Sequence, residues 1–287
     1  MISVVIPALN ERDAIGETVE RVRSVLAEAA LDPFEIIVVD DGSKDGTGEI
    51  AREAGARVVR HPHNVGYGRS LKDGITVAQY DTIVITDADG SYPIEQIPAL
   101  VERYRAGFDM VVGARTGEHY RESALKSPLR AILKQIVEFT ANRRIPDINS
   151  GLRVFGRATS MSFFNHTSDM FSFTTSLTLA YMMNAKFVTY MDIDYHERVG
   201  RSKVRLFRDS MRTLQYIVEA ATYYNPLKIF FLFGLICLLL ALGALIGGVI
   251  LQLVSAFVLG IGAILLAILV FAMGLLAVLL KQIMDRA

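Results

Sequence analysis

The sequence of 287 residues contains no tryptophan and a single cysteine, Cys237. One cysteine excludes an intrachain disulfide and any zinc site built from several cysteines, and it is typical of a reducing compartment. Charge is also missing from one long stretch, because residues 229–280 contain no Asp, Glu, Lys or Arg. This stretch far exceeds the roughly 20 apolar residues that cross a bilayer, which excludes a purely soluble protein.

The uncharged stretch is interrupted at Gly247-Gly248 and again by polar residues between positions 252 and 255. These interruptions predict two membrane spans, at about 229–250 and 256–280, and not one very long helix. The amino terminus lacks the basic segment and apolar core of a signal peptide. We therefore expect the amino-terminal domain to remain in the cytoplasm.

Basic residues flank the two predicted spans on one side only. Lys228 precedes the first span, Lys281 and Arg286 follow the second, and the connecting turn carries no charge. The positive-inside rule then places both ends of the hairpin in the cytoplasm. This predicts a multi-pass protein of the cell membrane, or of the endoplasmic reticulum membrane in a eukaryote. Small residues such as Gly243 would allow close helix approach and a homo-oligomer.

The region before the first span has the pattern of an amphipathic helix. Apolar residues recur every three or four positions from Val204 to Ala221, while arginines occupy the other faces. Such a helix could pack on the soluble core or lie in the membrane interface beside anionic headgroups, and the nearby span favours the interface. The sequence thus predicts three regions, at 1–200, 201–227 and 228–287.

The first region alternates short β-branched runs with helical stretches, which predicts an α/β fold with a mainly parallel central sheet. Ligands of such sheets bind beyond the carboxyl ends of the strands. Acidic and basic residues balance at 30 each, which gives no argument for nucleic-acid binding, and we expect none. The predicted strands are 2–6, 35–39, 57–59, 82–85 and 110–112, and the predicted helices lie near 11–29, 46–54 and 67–78.

Polar residues follow the first two predicted strands. Asn10 and Glu11 follow the first, and Asp40 and Asp41 begin a turn after the second. Neither a glycine-rich dinucleotide fingerprint nor a G-x-x-x-x-G-K-[ST] loop is present, which excludes Rossmann dehydrogenases and P-loop ATPases. Alone, the two aspartates are equally typical of turn chemistry. The glycines of segment 63–69 would suit either a tight helix start or a close approach to a ligand.

The fourth predicted strand runs directly into Asp87-Ala88-Asp89. Two carboxylates one residue apart suit a hard divalent cation, Mg²⁺ or Mn²⁺, which can also bind substrate phosphates. The alternative is an Asp-rich turn. The preceding apolar run favours the metal site, because an unpaired charge there would be costly.

In combination, these motifs resemble family 2 glycosyltransferases of the GT-A fold. Segments 147–153 and 198–203 are similar to those of dolichyl-phosphate mannose synthases and bacterial polyprenyl-phosphate glycosyltransferases. The resemblance implies a GT-A catalytic domain at 1–200, followed by the interfacial helix and a hairpin of two transmembrane helices. It also implies inverting transfer of one sugar from a nucleotide-diphosphate sugar, such as GDP-mannose or a UDP-hexose, to polyprenyl or dolichyl phosphate.

The resemblance further implies which residues form the site. Members of the subgroup often carry Gln where Ser91 stands, and this position would supply the third protein ligand of the metal. Arg115 and Arg130 would bind the acceptor phosphate, and a segment containing Arg198, Ser202 and Lys203 would close over the reacting groups. The nucleotide sugar would contact Pro7, Asn10, Glu11, Asp40, Asp41, Asp87, Ala88 and Asp89, and the metal would bind Asp87, Asp89 and Ser91.

Two other functions stay open. An alcohol acceptor, on a saccharide or another lipid, would need a carboxylate base, for which Asp147 is the candidate. A phosphate acceptor needs none, because the second pKa of a phosphate monoester is about 6. A non-catalytic, membrane-anchored nucleotide-sugar-binding scaffold is the third possibility, and the intact Asp87 and Asp89 argue against it.

Overall fold

The computed structural model describes residues 1–116, 143–196 and 225–284, with isolated positions (135, 137–139, 141, 214, 215, 218, 219 and 222) between these ranges. The chain divides into two compact units, residues 1–217 and 218–287. Of the amphipathic helix expected before the first span, only positions 214, 215, 218 and 219 are described, and they are helical. The remainder of that helix lies outside the described residues.

The first unit is built on a seven-stranded sheet in the described part of the chain, with the order β3-β2-β1-β4-β6-β5-β7. Among these strands only β6 runs antiparallel to its neighbours. The strands are β1 (Ile2–Ala8), β2 (Phe34–Asp40), β3 (Arg57–Arg60), β4 (Thr82–Ile85), β5 (Met110–Thr116), β6 (Arg153–Gly156) and β7 (Val188–Asp194). The helices are α1 (Ile15–Glu28), α2 (Thr47–Glu53), α3 (Tyr67–Val77), α4 (Ile97–Arg105), α5 (Arg157–Ser162) and α6 (Phe173–Met183).

Helices cover both faces of this sheet. On one face, apolar residues of α1 and α4, such as Val19 and Leu100, pack with Val4 of β1. On the other, Leu71 of α3 and Leu177 of α6 join the second core layer. Strands buried on both faces carry continuous apolar runs, as β1 and β2 do. The sequence predicted a mainly parallel sheet from the alternation of short β-branched runs with helical stretches. That prediction is confirmed.

The five predicted strands and three predicted helices all form, with ends shifted by up to four residues. Elements beyond residue 150 were not predicted individually. The strand β6 has only four residues and is too short for an alternating pattern to identify it.

The second unit contains helices α7 (Pro226–Leu251) and α8 (Val254–Met284). Both are long and apolar enough to cross a membrane, with mean hydropathies of 3.0 and 3.1. Gln252 adopts a left-handed conformation (φ 52°) at the turn, where polar residues interrupt the apolar stretch. The expected pair of helices is confirmed, and both extend slightly beyond the predicted ends.

These two helices pack against each other along their length. A Cβ placed on Gly260 would lie 2.7 Å from Leu245, and one on Gly274 would lie 2.6 Å from Phe230. The contacts pair the start of one helix with the end of the other, so α7 and α8 form an antiparallel hairpin. Glycine at these positions lets the helices approach closely.

Candidate active site

The turns that follow β1 and β2 are bonded to each other. Asn10, which adopts φ 48°, donates its backbone N–H to Ser43 Oγ (2.9 Å), and its Oδ1 accepts the N–H of Lys44 (2.9 Å). The N–H of Glu11 is bonded to Thr47 Oγ1 at 2.9 Å. Parallel strands end at the same edge of a sheet, and these bonds fix the two polar turns side by side there.

Pro7 and Asp40 lie at this edge, where Pro7 pairs with Val39 and Ala8 with Asp40. Asp40 is fully buried, and its Oδ1 accepts the backbone N–H of Ser43 at 2.8 Å. Its Oδ2 has no hydrogen-bond partner among the described residues, although Arg60 Nε lies 3.6 Å away. A buried carboxylate oxygen without a hydrogen bond is costly, so this atom is suited to accept a donor from a ligand.

An open cavity of about 360 Å³ lies beside this turn. Its walls come from the segments that follow β2 and β3, and the cationic side chains of Lys44 and Arg60 are among them. The lining residues are Gly42, Ser43, Lys44, Arg60, His61 and Pro62.

Asp41 stabilises a neighbouring loop. Its Oδ1 accepts the N–H of Val65 at 2.9 Å and lies 2.8 Å from His61 Nδ1, and its Oδ2 accepts the N–H of Gly66 at 3.0 Å. Both oxygens are therefore engaged by the protein. Asp41 anchors the loop that leads into α3, and its assignment to the nucleotide remains a prediction.

The glycines of segment 63–69 serve close packing of backbone on backbone. A Cβ on Gly66 would lie 2.7 Å from the carbonyl oxygen of Asp169, and one on Gly68 would clash with that of Ser168. The N–H of Arg69 also donates to Asp169 O at 2.8 Å. A tight helix start, one of the two interpretations that the sequence left open, is observed at α3.

Asp87 and Asp89 follow β4 and begin the acidic part of the site. Asp87 is partly exposed, and its Oδ1 accepts the hydroxyl of Tyr67 at 2.9 Å. A Cβ on Gly151 would lie 2.9 to 3.0 Å from the two carboxylate oxygens of Asp87, so glycine admits this carboxylate. Asp89 is buried, and its Oδ1 accepts both the hydroxyl (2.5 Å) and the N–H (3.1 Å) of Ser91.

Ala88 and Ser91 are buried in this turn. The carbonyl oxygen of Ala88 accepts the hydroxyl of Thr18 at 3.2 Å, which ties the turn to α1. The Ser91 hydroxyl donates its hydrogen bond to Asp89, which is itself a predicted metal ligand. Direct metal coordination by Ser91 remains a prediction.

Arg115, near the end of β5, is paired with Asp147. Its Nε and Nη2 donate to Asp147 Oδ2 (2.6 Å) and Oδ1 (2.9 Å), and its guanidinium lies 5.3 Å from the ring centre of Tyr195. Burial alone would raise the pKa of the Asp147 carboxyl, but the charge and hydrogen bonds of Arg115 outweigh burial and hold that pKa below its ordinary value. Asp147 is therefore an ionised partner of Arg115.

Tyr92, which follows β4, contacts the segment before β6 and the residue that follows β7. Its hydroxyl accepts the N–H of Gly151 at 2.6 Å, and its ring meets that of Tyr195 edge to face, 5.3 Å between centres. Burial raises the pKa of Tyr92 far above its ordinary value. The positive charge of Arg115 opposes this rise, and the negative charges of Asp87 and Asp147 add to it. The sequence analysis assigned no role to Tyr67 or Tyr92, and only their positions beside polar turns could have pointed to them.

Four of the predicted site residues, Arg130, Arg198, Ser202 and Lys203, lie outside the described residues. The chain that leads to the last three passes the acidic turn, because the N–H of His196 donates to the carbonyl oxygen of Ser91 at 3.0 Å. Arg198 follows two residues later in the sequence.

Asp87 and Asp89 could together hold a divalent cation. In the described part of the chain, no three His, Cys, Asp or Glu side chains form a ready-made metal site. Two carboxylates at a strand end nevertheless match the oxygen ligands that Mg²⁺ prefers, since Mg²⁺ is usually bound by one or two carboxylates, substrate phosphates and water. The donor set therefore fits a cation that arrives with a diphosphate.

Comparison with known families identifies the chain. The family model described as Glycosyl transferase family 2 matches residues 3–168, which is more than half of the sequence and includes β1 to β6 with both polar turns and Asp87-Ala88-Asp89. The chain belongs to glycosyl transferase family 2. The resemblance noted from the sequence motifs is confirmed.

Curated relatives of this glycosyltransferase include a glycan biosynthesis hexosyltransferase and undecaprenyl-phosphate transferases. The low-salt glycan biosynthesis hexosyltransferase Agl6 of Haloferax volcanii is 29% identical over 78% of this chain, which spans only 54% of Agl6. The undecaprenyl-phosphate 4-deoxy-4-formamido-L-arabinose transferase of Edwardsiella ictaluri is 28% identical. The match covers 83% of this chain and 73% of the length of that enzyme.

Solved structures show the fold. Glucosyl-3-phosphoglycerate synthase of Mycobacterium tuberculosis superposes with a TM-score of 0.63 at 20% identity, covering 77% of this chain and 80% of that one. A complex of the same enzyme with Mn²⁺, UDP and glucosyl-3-phosphoglycerate gives a TM-score of 0.63 at 22% identity. The glycosyltransferase has the GT-A fold that the sequence predicted.

Proposed function

We propose that this glycosyltransferase transfers one sugar from a nucleotide-diphosphate sugar to a polyprenyl or dolichyl phosphate, with inversion at the anomeric carbon. The observation that carries the proposal is that Tyr92 links two groups with complementary tasks. Its hydroxyl accepts the N–H of Gly151, whose backbone packs on the carboxylate of Asp87, and its ring packs on Tyr195, which lies against the guanidinium of Arg115 in its ion pair with Asp147.

The relatives support a lipid-phosphate acceptor. The name of the Edwardsiella enzyme specifies undecaprenyl phosphate, and a Klebsiella pneumoniae enzyme of the same name also matches 83% of this chain. The name of Agl6 specifies transfer of a hexose. Two helices apolar enough to span a membrane suit an acceptor that resides in a bilayer.

We assign the donor site to the turns after β1, β2 and β4. Pro7, Asn10, Glu11 and Asp40, with Asp41 and Ala88 behind them, would surround the nucleotide. Asp87 and Asp89 would hold Mg²⁺ or Mn²⁺, with Ser91 as a third ligand or as the group that orients Asp89. A bound cation would neutralise charge on the diphosphate leaving group. Structures of similar fold contain UDP with Mn²⁺ or Mg²⁺, which supports this assignment.

The acceptor phosphate is its own nucleophile. Its second pKa of about 6 leaves it largely ionised at neutral pH, so that positioning and charge complementarity must provide the catalysis. An arginine side chain carries five N–H donors, more than the two that Arg115 gives to Asp147, and we assign Arg115 and Arg130 to the acceptor phosphate. Arg198, Ser202 and Lys203 would complete the phosphate site, since they follow the contact between His196 and Ser91.

An alcohol acceptor is the second candidate, and the environment of Asp147 disfavours it. A base must take a proton from the attacking hydroxyl. Asp147 is bonded through both oxygens to Arg115, and the depressed pKa of its carboxyl makes it a weak base. The pair with Arg115 better suits a role in orienting that cation.

The membrane arrangement follows from the proposed acceptor. We propose that the helix hairpin of 228–287 anchors the enzyme and that region 201–227 lies in the interface. Region 1–200 then acts at the cytoplasmic face of the cell membrane, or of the endoplasmic reticulum in a eukaryote. Polybasic segments near anionic lipid headgroups fit this placement.

Transfer can be measured with the purified full-length protein in lipid. A panel of radiolabelled nucleotide sugars is incubated with polyprenyl phosphate and Mg²⁺ or Mn²⁺, and label entering the organic phase is counted. We expect metal-dependent label with one donor, loss on chelation, and loss of at least about 100-fold in Asp89→Asn. The control is Asp81→Asn, which alters a carboxylate just before β4, at the opposite end of the strand. Absence of lipid-linked product with every donor would refute the proposal.

A further inference from the structure

We infer that Tyr67 is a positioning residue for Asp87, whose carboxylate it holds in the orientation that binds the nucleotide-bound cation. This inference rests on the proposed function. Tyr67 Oη lies 2.9 Å from Asp87 Oδ1, and it approaches from the side of α3, an element to which the sequence motifs assign no part of the site. The contact joins residues 20 positions apart.

Asp87 is confined from two directions. The Tyr67 hydroxyl donates to one oxygen, and the backbone of Gly151 packs against the carboxylate so closely that a Cβ there would lie within 3.1 Å of three of its atoms. Residue 151 follows the loop that carries Asp147, the partner of Arg115. The carboxylate thus lies between α3 and the segment before β6.

Tyr67 is itself fixed by its surroundings. Asp41 binds the N–H groups of Val65 and Gly66, which precede Tyr67. The ring of Tyr67 stacks on Phe171, with centres 5.7 Å apart and planes inclined by 14°. The backbone before the tyrosine and the ring are therefore both held, so the hydroxyl is presented to Asp87 in a defined position.

An ionised carboxylate only accepts hydrogen bonds, so the Tyr67 hydroxyl is the donor in its contact with Asp87. A neutral phenol adds no charge to the carboxylate, and its hydrogen bond goes to Oδ1. Outer groups that orient metal-binding carboxylates in this way are known to affect affinity strongly.

The decisive variant is Tyr67→Phe, which retains the ring and its stack and removes only the hydroxyl. Mn²⁺ is titrated into the full-length protein with UDP and, separately, with GDP, and free Mn²⁺ is read by electron paramagnetic resonance. We expect Mn²⁺ to bind about 10- to 100-fold more weakly than in the wild type. In the transfer assay, the KM for the donor should rise, while the KM for polyprenyl phosphate stays unchanged.

The matched control is Tyr181→Phe, which removes another buried tyrosine hydroxyl, 3.4 Å from the carbonyl oxygen of Gly156. Gly156 pairs with Thr82 at the start of β4, at the far end of the sheet from the site. This control should bind Mn²⁺ like the wild type. Thermal melting of both variants separates loss of the carboxylate's orientation from loss of the fold.

A double-mutant cycle with Asp87→Asn tests the coupling directly. If Tyr67 acts through Asp87, adding Tyr67→Phe to Asp87→Asn should weaken Mn²⁺ binding by less than about twofold. A wild type that binds Mn²⁺ and transfers sugar, with a Tyr67→Phe variant that equals it in both, would overturn the inference alone. A wild type that does neither would remove the proposed function and the inference together.

Discussion

Asp147 binds the guanidinium of Arg115 through two parallel hydrogen bonds, 2.6 and 2.9 Å long, just beyond the antiparallel pairing of β5 with β6. The backbone N–H of Arg115 also donates to the same carboxylate, at 3.2 Å. The ring of Tyr195 lies against the guanidinium. An arginine held by a carboxylate and an aromatic ring has a fixed direction, and a fixed cation can bind an incoming phosphate without reorganising.

Replacing this arginine by lysine should impair acceptor binding. Arg115→Lys keeps the charge but loses the planar fork, so we expect kcat/KM for polyprenyl phosphate to fall about 10- to 100-fold, mainly through KM. The KM for the nucleotide sugar should change little. Steady-state kinetics with each substrate varied in turn provides the measurement.

Asp147→Asn distinguishes the phosphate acceptor from the alcohol acceptor. If Asp147 only orients Arg115, the Asp147→Asn variant should lose no more activity than Arg115→Lys. The amide oxygen of asparagine can still accept one hydrogen bond from the guanidinium. A far larger loss in Asp147→Asn than in Arg115→Lys would show that the carboxylate acts as a base.

The same ion pair predicts an acid limb of stability. The folded-state pKa of Asp147 lies below its unfolded value, so the native state gains stability from this group above the unfolded pKa of about 4. That contribution is lost as the pH falls through the unfolded value toward the lower folded one. We expect the melting temperature of the wild type to exceed that of Asp147→Asn at pH 6 and 7, and the difference to shrink below pH 4. A difference that is constant from pH 7 to pH 3 would contradict the assigned pKa shift.

The residues of the proposed donor site could be picked out from the sequence because the patterns that mark them are local. Asp40 ends the apolar strand β2, Asp87 and Asp89 lie two and four residues beyond the end of β4, and the parallel-sheet pattern places strand ends at one edge. The turn after β1 is equally local, with Asn10 and Glu11 adjacent in sequence. Residues that belong to one strand and the turn after it can be recognised from the sequence alone.

The remaining parts depend on contacts between distant segments. No sequence pattern predicts the hydrogen bond from Tyr67 to Asp87 or the ion pair between Arg115 and Asp147. The close packing of Gly68 on the backbone of Ser168 cannot be predicted in this way either. These contacts join residues 20, 32 and 100 positions apart, and their geometry is set by packing of whole elements. The same limit applies to Asp41, whose turn position was recognised but whose bonds to the loop before α3 were not.

Arg153 shows how a motif residue can serve the fold. It is fully buried, and it donates to the carbonyl oxygens of Ser150 (2.7 Å), Ile148 (2.8 Å) and Thr174 (2.9 Å). Burial lowers the pKa of Arg153, but an arginine stays protonated. We expect Arg153→Lys to lower the free energy of unfolding by about 3 kcal/mol, because lysine cannot satisfy these separated acceptors.

The control for this prediction is Arg157→Lys. Arg157 also binds two carbonyl oxygens, those of Ile75 and Thr76, but it is partly exposed, so water can replace lost bonds. Its substitution should cost about 1 kcal/mol or less. Denaturant titration measures the free energy of unfolding of both variants. Equal losses in the two would show that burial does not increase the contribution of Arg153 to stability.

The topology of the hairpin can be tested because the chain has a single cysteine. Removing it by Cys237→Ala gives a background in which Gln252→Cys marks the turn between α7 and α8, and Lys281→Cys marks the end of α8. By the positive-inside rule, the basic residues that flank the hairpin, Lys228, Lys281 and Arg286, predict that both of its ends lie in the cytoplasm. A membrane-impermeant maleimide should therefore label position 252 in intact cells or sealed right-side-out vesicles, and position 281 only after permeabilisation. Labelling in the opposite order would invert the proposed topology and move the active site to the other face of the membrane.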